Sequence, residues 1–173
     1  MLVNFSTIKD LPIVSLDQEV KVGSVLDLAI NPQDGKILCL LIKTGFFSPK
    51  LALLPQDILK WEEEFILIQN NQSLIPVEEI VRVQEILKQH FKWVDQKVVN
   101  TQKRKIGKVL DLTLDLEIGQ ISRLSIEITS LKGLLETERL IPWNKIIKVT
   151  PHYIMIEELE KSKGLKELAD EII

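Results

Sequence analysis

At 173 residues the chain has room for one domain or two small ones, and its 45% apolar, 27% charged composition is that of a globular protein. A net charge of −3 gives no overall field toward nucleic acid or anionic lipid, and the single cysteine, Cys39, excludes an internal disulfide. No run approaches the about 18 uncharged apolar residues of a membrane-spanning helix, and the N-terminus MLVNFSTIKDLPIV lacks the pattern of a signal peptide, so a cytoplasmic protein is expected.

PIVS (12–15) reads as a first strand, and DQEVKVG as the turn after it. GSVLDL (23–28) is the second strand, with Gly23 serving the turn. Gly35, in NPQDGK, closes a hairpin, because positive φ is cheap only for glycine. ILCLLI (37–42) is the return strand, and Cys39 within it reads as a core residue. LLP (53–55) ends a short strand at Pro55, and FILI (65–68) is the last of the first set. In PVEEIVRVQEILKQHF (76–91), Val77, Ile80, Val81, Leu87 and Phe91 recur at three- and four-residue steps. Pro76 suits a first helical position, so an amphipathic helix of about four turns is expected. Strands then recur at KVVN (97–100), GKVLDL (107–112), RLSIEI (123–128), LIP (140–142) and YIMI (153–156), with a glycine turn at Gly119. EELEKSKGLKELADEII closes the chain with a second helical pattern, interrupted by Gly164.

The second set repeats the first. Set on Gly107, Gly23 brings VLDL onto VLDL, Gly35 onto Gly119, Leu40 onto Leu124 and Ile42 onto Ile126. The match covers about 60 residues per half and keeps its order, as in a duplicated domain. Each copy then holds five or six short strands in hairpin order, and closing such a sheet into a small barrel removes its edges. The repeated pattern is an apolar strand, a polar turn, G-x-V-x-D, a glycine turn, I-x-x-L-x-I, L-I-P and a final I-x-I. It resembles the PRC-barrel family over 11–70 and 95–157. The resemblance implies a mainly β protein with two PRC-type barrels in tandem: barrels at 1–72 and 93–158, a linking helix at 73–92 and a helical tail at 159–173. It also implies a module that binds other proteins rather than an enzyme.

Candidate chemistry is sparse. Asp27 and Asp111 are equivalent carboxylates, best read as structural acceptors of turn N–H groups. His90 and His152 have no metal-ligand spacing, and no phosphate loop, nucleophile elbow or HExxH occurs. No catalytic, metal or cofactor residue is therefore expected. QKRKIGK (102–108), with Lys103, Arg104 and Lys105, is the densest basic cluster, but its first-half counterpart is acidic, so nucleic-acid binding is not expected. The copies differ most where Leu38, Cys39 and Leu41 stand against Ser122, Arg123 and Ser125. That leaves an apolar surface on the first barrel, to be covered by the chain itself or by a second chain. Phe46 and Phe47, in GFFSP, are adjacent and so point opposite ways in an extended segment, which would expose one. Leu38, Leu41, Phe46 and Phe47 are the candidate protein-interaction residues of a module that binds an unidentified protein or self-associates. An RNA-processing or ribosome-maturation-associated role is the alternative.

Overall fold

The computed structural model describes residues 1–128 and 137–159. The expected tail helix beyond residue 159, and the second-copy counterpart of GFFSP, lie outside the described residues. In chain order the first half comprises β1 (Leu2–Asn4), α1 (Phe5–Ile8), β2 (Pro12–Ser15), β3 (Val20–Ile30), β4 (Ile37–Lys43), β5 (Leu51–Leu53), β6 (Ile58–Trp61), β7 (Ile66–Ile68) and β8 (Leu74–Pro76). The second comprises α2 (Val81–Lys88), β9 (Lys97–Val99), β10 (Lys105–Asp115), β11 (Gln120–Ile128), β12 (Thr137–Pro142), β13 (Ile146–Val149) and β14 (Ile154–Ile156). Short 3-10 turns at Pro55–Asp57 and Trp143–Lys145 follow β5 and β12.

Six strands follow the same order in both repeats, with β8 added to the first sheet and β1 to the second. One sheet runs β6-β7-β2-β3-β4-β5 and the other β13-β14-β9-β10-β11-β12. In each, the first strand of the repeat pairs in parallel with the last, Ile13 opposite Ile66 and Val98 opposite Ile154. The alternating strands turn one face inward: Val25, Leu40, Ile42, Ile66 and Ile68 are buried in one sheet and Val109, Leu124, Ile126, Ile154 and Ile156 in the other. These residues belong to a single apolar cluster that runs through both repeats. The sheets curl without closing: β6 and β8 are the ends of one path, β12 and β13 of the other. The full closure expected of a small barrel is thus replaced by short end strands, which also limit edge pairing.

Two segments depart from the sequence reading. The helix expected from Pro76 starts at Val81, because Leu74–Pro76 instead forms β8 on the outer edge of β5. Val77–Glu79 makes a 3-10 turn, and Ile80 has extended backbone (φ −110°, ψ 93°), so the helix keeps eight residues. The N-terminal strand, placed with the first barrel, pairs with β10 of the second, Val3 opposite Leu114. Among the described residues no helix is long and apolar enough to cross a membrane.

The repeats are tied together at their hairpin tips. Gly35 and Gly119 both have positive φ, 71° and 65°. Ile37 N–H donates to Gly119 O (2.8 Å), and Ile121 N–H donates to Gly35 O (2.9 Å). Each tip therefore completes the other's backbone hydrogen bonds about a pseudo-twofold relation. Trp143 of the second repeat lies against Gly35, where an added Cβ would come within 2.9 Å of its ring.

Candidate functional site

The repeated VLDL marks a β-bulge. Pairing of β3 with β4 shifts between Val25 and Asp27, and pairing of β10 with β11 shifts between Val109 and Asp111. Leu26 and Leu110 are the extra residues, and the bulge bends the strand. The carboxylate follows it for a reason: Asp27 Oδ1 accepts the N–H of Leu28, and Asp111 Oδ1 that of Leu112, each at 2.8 Å. Both carboxylates thus accept a backbone N–H within a strand, not at the turn expected of them. Gly23 and Gly107 also stand inside strands, with φ outside the positive region. What requires glycine at 107 is close approach: a Cβ would stand 1.8 Å from Glu127 O on the neighbouring strand. At Gly23 a Cβ would meet the Ile42 side chain at 2.7 Å.

Both bulges open on one cleft of about 410 Å³. Asp27 and Asp111 line it from opposite repeats, α1 contributes Phe5 and Ser6, and the segment after α2 contributes Phe91 and Trp93. Ser6 donates its backbone N–H to Asp111 Oδ1 at 3.1 Å and its hydroxyl to Asp111 Oδ2. Phe91 and Trp93 meet edge to face, with centroids 5.0 Å apart. Neither histidine lines this cleft: His90 lines a shallower hollow of about 220 Å³ with Asp95 and Pro151, and His152 is exposed in a turn. The cleft thus joins carboxylates to aromatic rings and lysines, with no histidine among its lining residues. Among the described residues no group of three or more His, Cys, Asp or Glu is placed to hold a metal.

The candidate interaction residues separate into two environments. Leu41 is 2% exposed and Leu38 is half-buried. Both belong to a second apolar cluster in which Ala29, Cys39, Leu41 and Ala52 of the sheet pack against Val77 and Val83 of the linking segment. The apolar surface that distinguishes the first repeat is therefore covered within the chain, and Leu41 is withdrawn from any outside partner. In the second repeat the corresponding face is polar: Arg123 Nε donates to Thr113 Oγ1, and the Ser125 hydroxyl donates to Glu138. Cys39 is completely buried, and desolvation pushes its thiol up to about 12.

Phe46 and Phe47 lie in the loop between β4 and β5, and both are bare, 99% and 97% exposed. Their rings meet edge to face at 5.8 Å. The expectation that one of the two would be exposed assumed an extended segment; the loop has left the sheet, so neither ring has an interior to face. Lys103, Arg104 and Lys105 are exposed around the turn into β10, where Asn100 Oδ1 accepts the N–H of Gln102 and of Arg104.

Two curled six-stranded repeats, each with a parallel first-to-last pairing and a glycine-tipped central hairpin, define a tandem β-barrel protein. The profile of the PRC-barrel domain family matches residues 2–84 and again 90–163. The chain belongs to the PRC-barrel family and carries two copies of its domain. Domains of this family are generally non-catalytic modules. No curated protein matches the chain.

Proposed function

We propose that this protein is a non-catalytic interaction module, binding a protein partner or a second copy of itself through the loop between β4 and β5. The observation that carries the reading is the pair of bare phenyl rings at Phe46 and Phe47. Large aromatics left in water on a loop tip are suited to anchor a contact, because their burial removes on the order of 300 Å² of apolar surface. Two further features support it. The apolar face around Cys39 and Leu41 is already covered by the chain's own linking segment, and the cleft holds no histidine beside its carboxylates. The reading requires no cofactor, and a lone buried thiol suits the reducing cytoplasm.

The test joins mass in solution, by light scattering, with affinity capture from the native cell. Wild type should either self-associate or retain a defined partner, and the Phe46→Ser/Phe47→Ser variant should lose that association while keeping its circular dichroism. A wild-type protein that stays monomeric and captures nothing sinks the reading, as does association that the double variant leaves unchanged.

A further inference from the structure

The two halves of the cleft are equivalent by descent but not in their hydrogen bonding. The segments entering β2 and β9 align 85 residues apart: Asp10 and Asp95 both have positive φ, 67° and 65°, and their N–H groups donate to Val25 O and Val109 O. On that offset Ser6 corresponds to Phe91. Ser6 fills the open side of Asp111 with two converging donors, its N–H and its hydroxyl. Phe91 has no side-chain donor to offer. Among the described residues Asp27 accepts a hydrogen bond from Leu28 N–H alone, through Oδ1, and Asp27 is exposed on the cleft. One half of a duplicated site is thus closed by the chain itself, and the other stands open beside a carboxylate and the Phe91–Trp93 pair.

We infer that this open half receives a guanidinium group, the side chain of an arginine on a partner protein; the inference rests on the interaction reading above and names the chemistry of one contact. Ser6 provides the template, since two donors converging on one carboxylate are what a guanidinium fork supplies. The planar cation also stacks on aromatic faces, which an ammonium does less well, and Phe91, half-buried over the core residue Trp93, is the ring that lies beside the opening. Of the three carboxylates lining the cleft, Asp95 lies 3.9 Å from the Lys108 ammonium and Asp111 is taken by Ser6, so Asp27 is the carboxylate placed to meet an incoming cation. The cleft's two lysines, Lys9 and Lys92, are exposed, and their heads are free to turn to solvent.

The test is an amide NMR titration of the full chain with the blocked tripeptide acetyl-Gly-Arg-Gly-amide, beside its Lys and Gln counterparts. The Arg peptide should produce saturable shifts at the Leu28 amide and the Trp93 indole, weakened by salt. Asp27→Asn should lower its affinity by about tenfold or more while leaving the rest of the spectrum in place. Phe91→Ser provides a second check: by removing a ring that lines the cleft, it should also weaken the peptide. Phe46→Ser/Phe47→Ser should leave the titration unchanged, so loss of this site and loss of the loop contact are separable. Absence of saturable shifts, binding that survives Asp27→Asn, or equal affinity for the Lys peptide would each overturn the inference.

Discussion

Gly107 and Gly119 are both glycine for physical reasons, and the reasons differ. At Gly107 the obstacle to a side chain is a backbone oxygen, Glu127 O, which cannot move without opening the β10–β11 ladder. At Gly119 a Cβ would meet nothing within 4 Å, and the constraint is the φ of 65°. Gly107→Ala should therefore lose about 3 kcal/mol or fail to fold, and Gly119→Ala about 1–2 kcal/mol, read from urea midpoints. Equal losses would show that the ladder yields. Cys39 offers a pH test whose sign follows from its environment. Its thiol pKa is raised from 9.0 to about 12 by burial. Below pH 9 both states hold the proton; above it the unfolded chain ionises while the fold cannot, so stability is lost as pH rises toward the folded value. The slope is about 1.4 kcal/mol per pH unit, so between pH 9 and about pH 10.5 wild type should lose roughly 2 kcal/mol more than Cys39→Ala. The burial of Cys39 was legible from its apolar neighbours. The role of Gly107 was not, because the atom it must avoid belongs to a strand about 20 residues further on.

At the scale of elements, α2 replaces an outside partner. Val83 is 1% exposed and packs on the cluster around Cys39, whereas Val81, two residues earlier, is 70% exposed. Val83→Ala should cost about 2 kcal/mol through lost packing and the cavity left behind. Val81→Ala should change stability by less than about 0.5 kcal/mol, with alanine's helix propensity in its favour. Thermal melts of the two variants separate a packed helix from one that merely rests on the sheet. The apolar periodicity of 76–91 revealed a helix but overstated its length and misplaced its buried side: Val81, counted on the apolar face, is exposed, while the helix buries Val83 and Ile86. Local propensity favoured a helix from Pro76, but the ladder of Leu74–Pro76 with Leu51–Leu53 won, a contact invisible to a window of neighbouring residues. The same applies at the N-terminus: Leu2–Asn4 pairs with residues more than a hundred positions away, and nothing in LVN names that partner. The period-two strands and glycine turns were readable because their signals are local. The cleft was not, since it forms only where the two repeats bring Asp27 and Asp111 together.

For the whole molecule, the question is whether two copies of one domain unfold as two units or as one. Tandem domains joined by a linker often move and melt independently. Here three connections oppose that. The main apolar cluster includes inward residues of both repeats, the hairpin tips complete each other's backbone hydrogen bonds, and the N-terminal strand and α1 cross to the second repeat. Opening one barrel alone would strip apolar cover from the other and leave the carbonyls of Gly35 and Gly119 without their partners. A single cooperative transition is therefore expected in urea. Native-state amide signals from Ile42 in the first repeat and Ile126 in the second should fade at the same midpoint. Trp143→Ala removes the ring that lies on Gly35 and beside Trp93, at a centroid distance of 6.2 Å. It should lower that shared midpoint by an amount equivalent to about 2–3 kcal/mol while keeping the two signals together, because the tip hydrogen bonds and the exchanged N-terminal segment remain. Two midpoints in the wild type would show that each barrel carries its own stability; two midpoints in the variant alone would locate the coupling at Trp143.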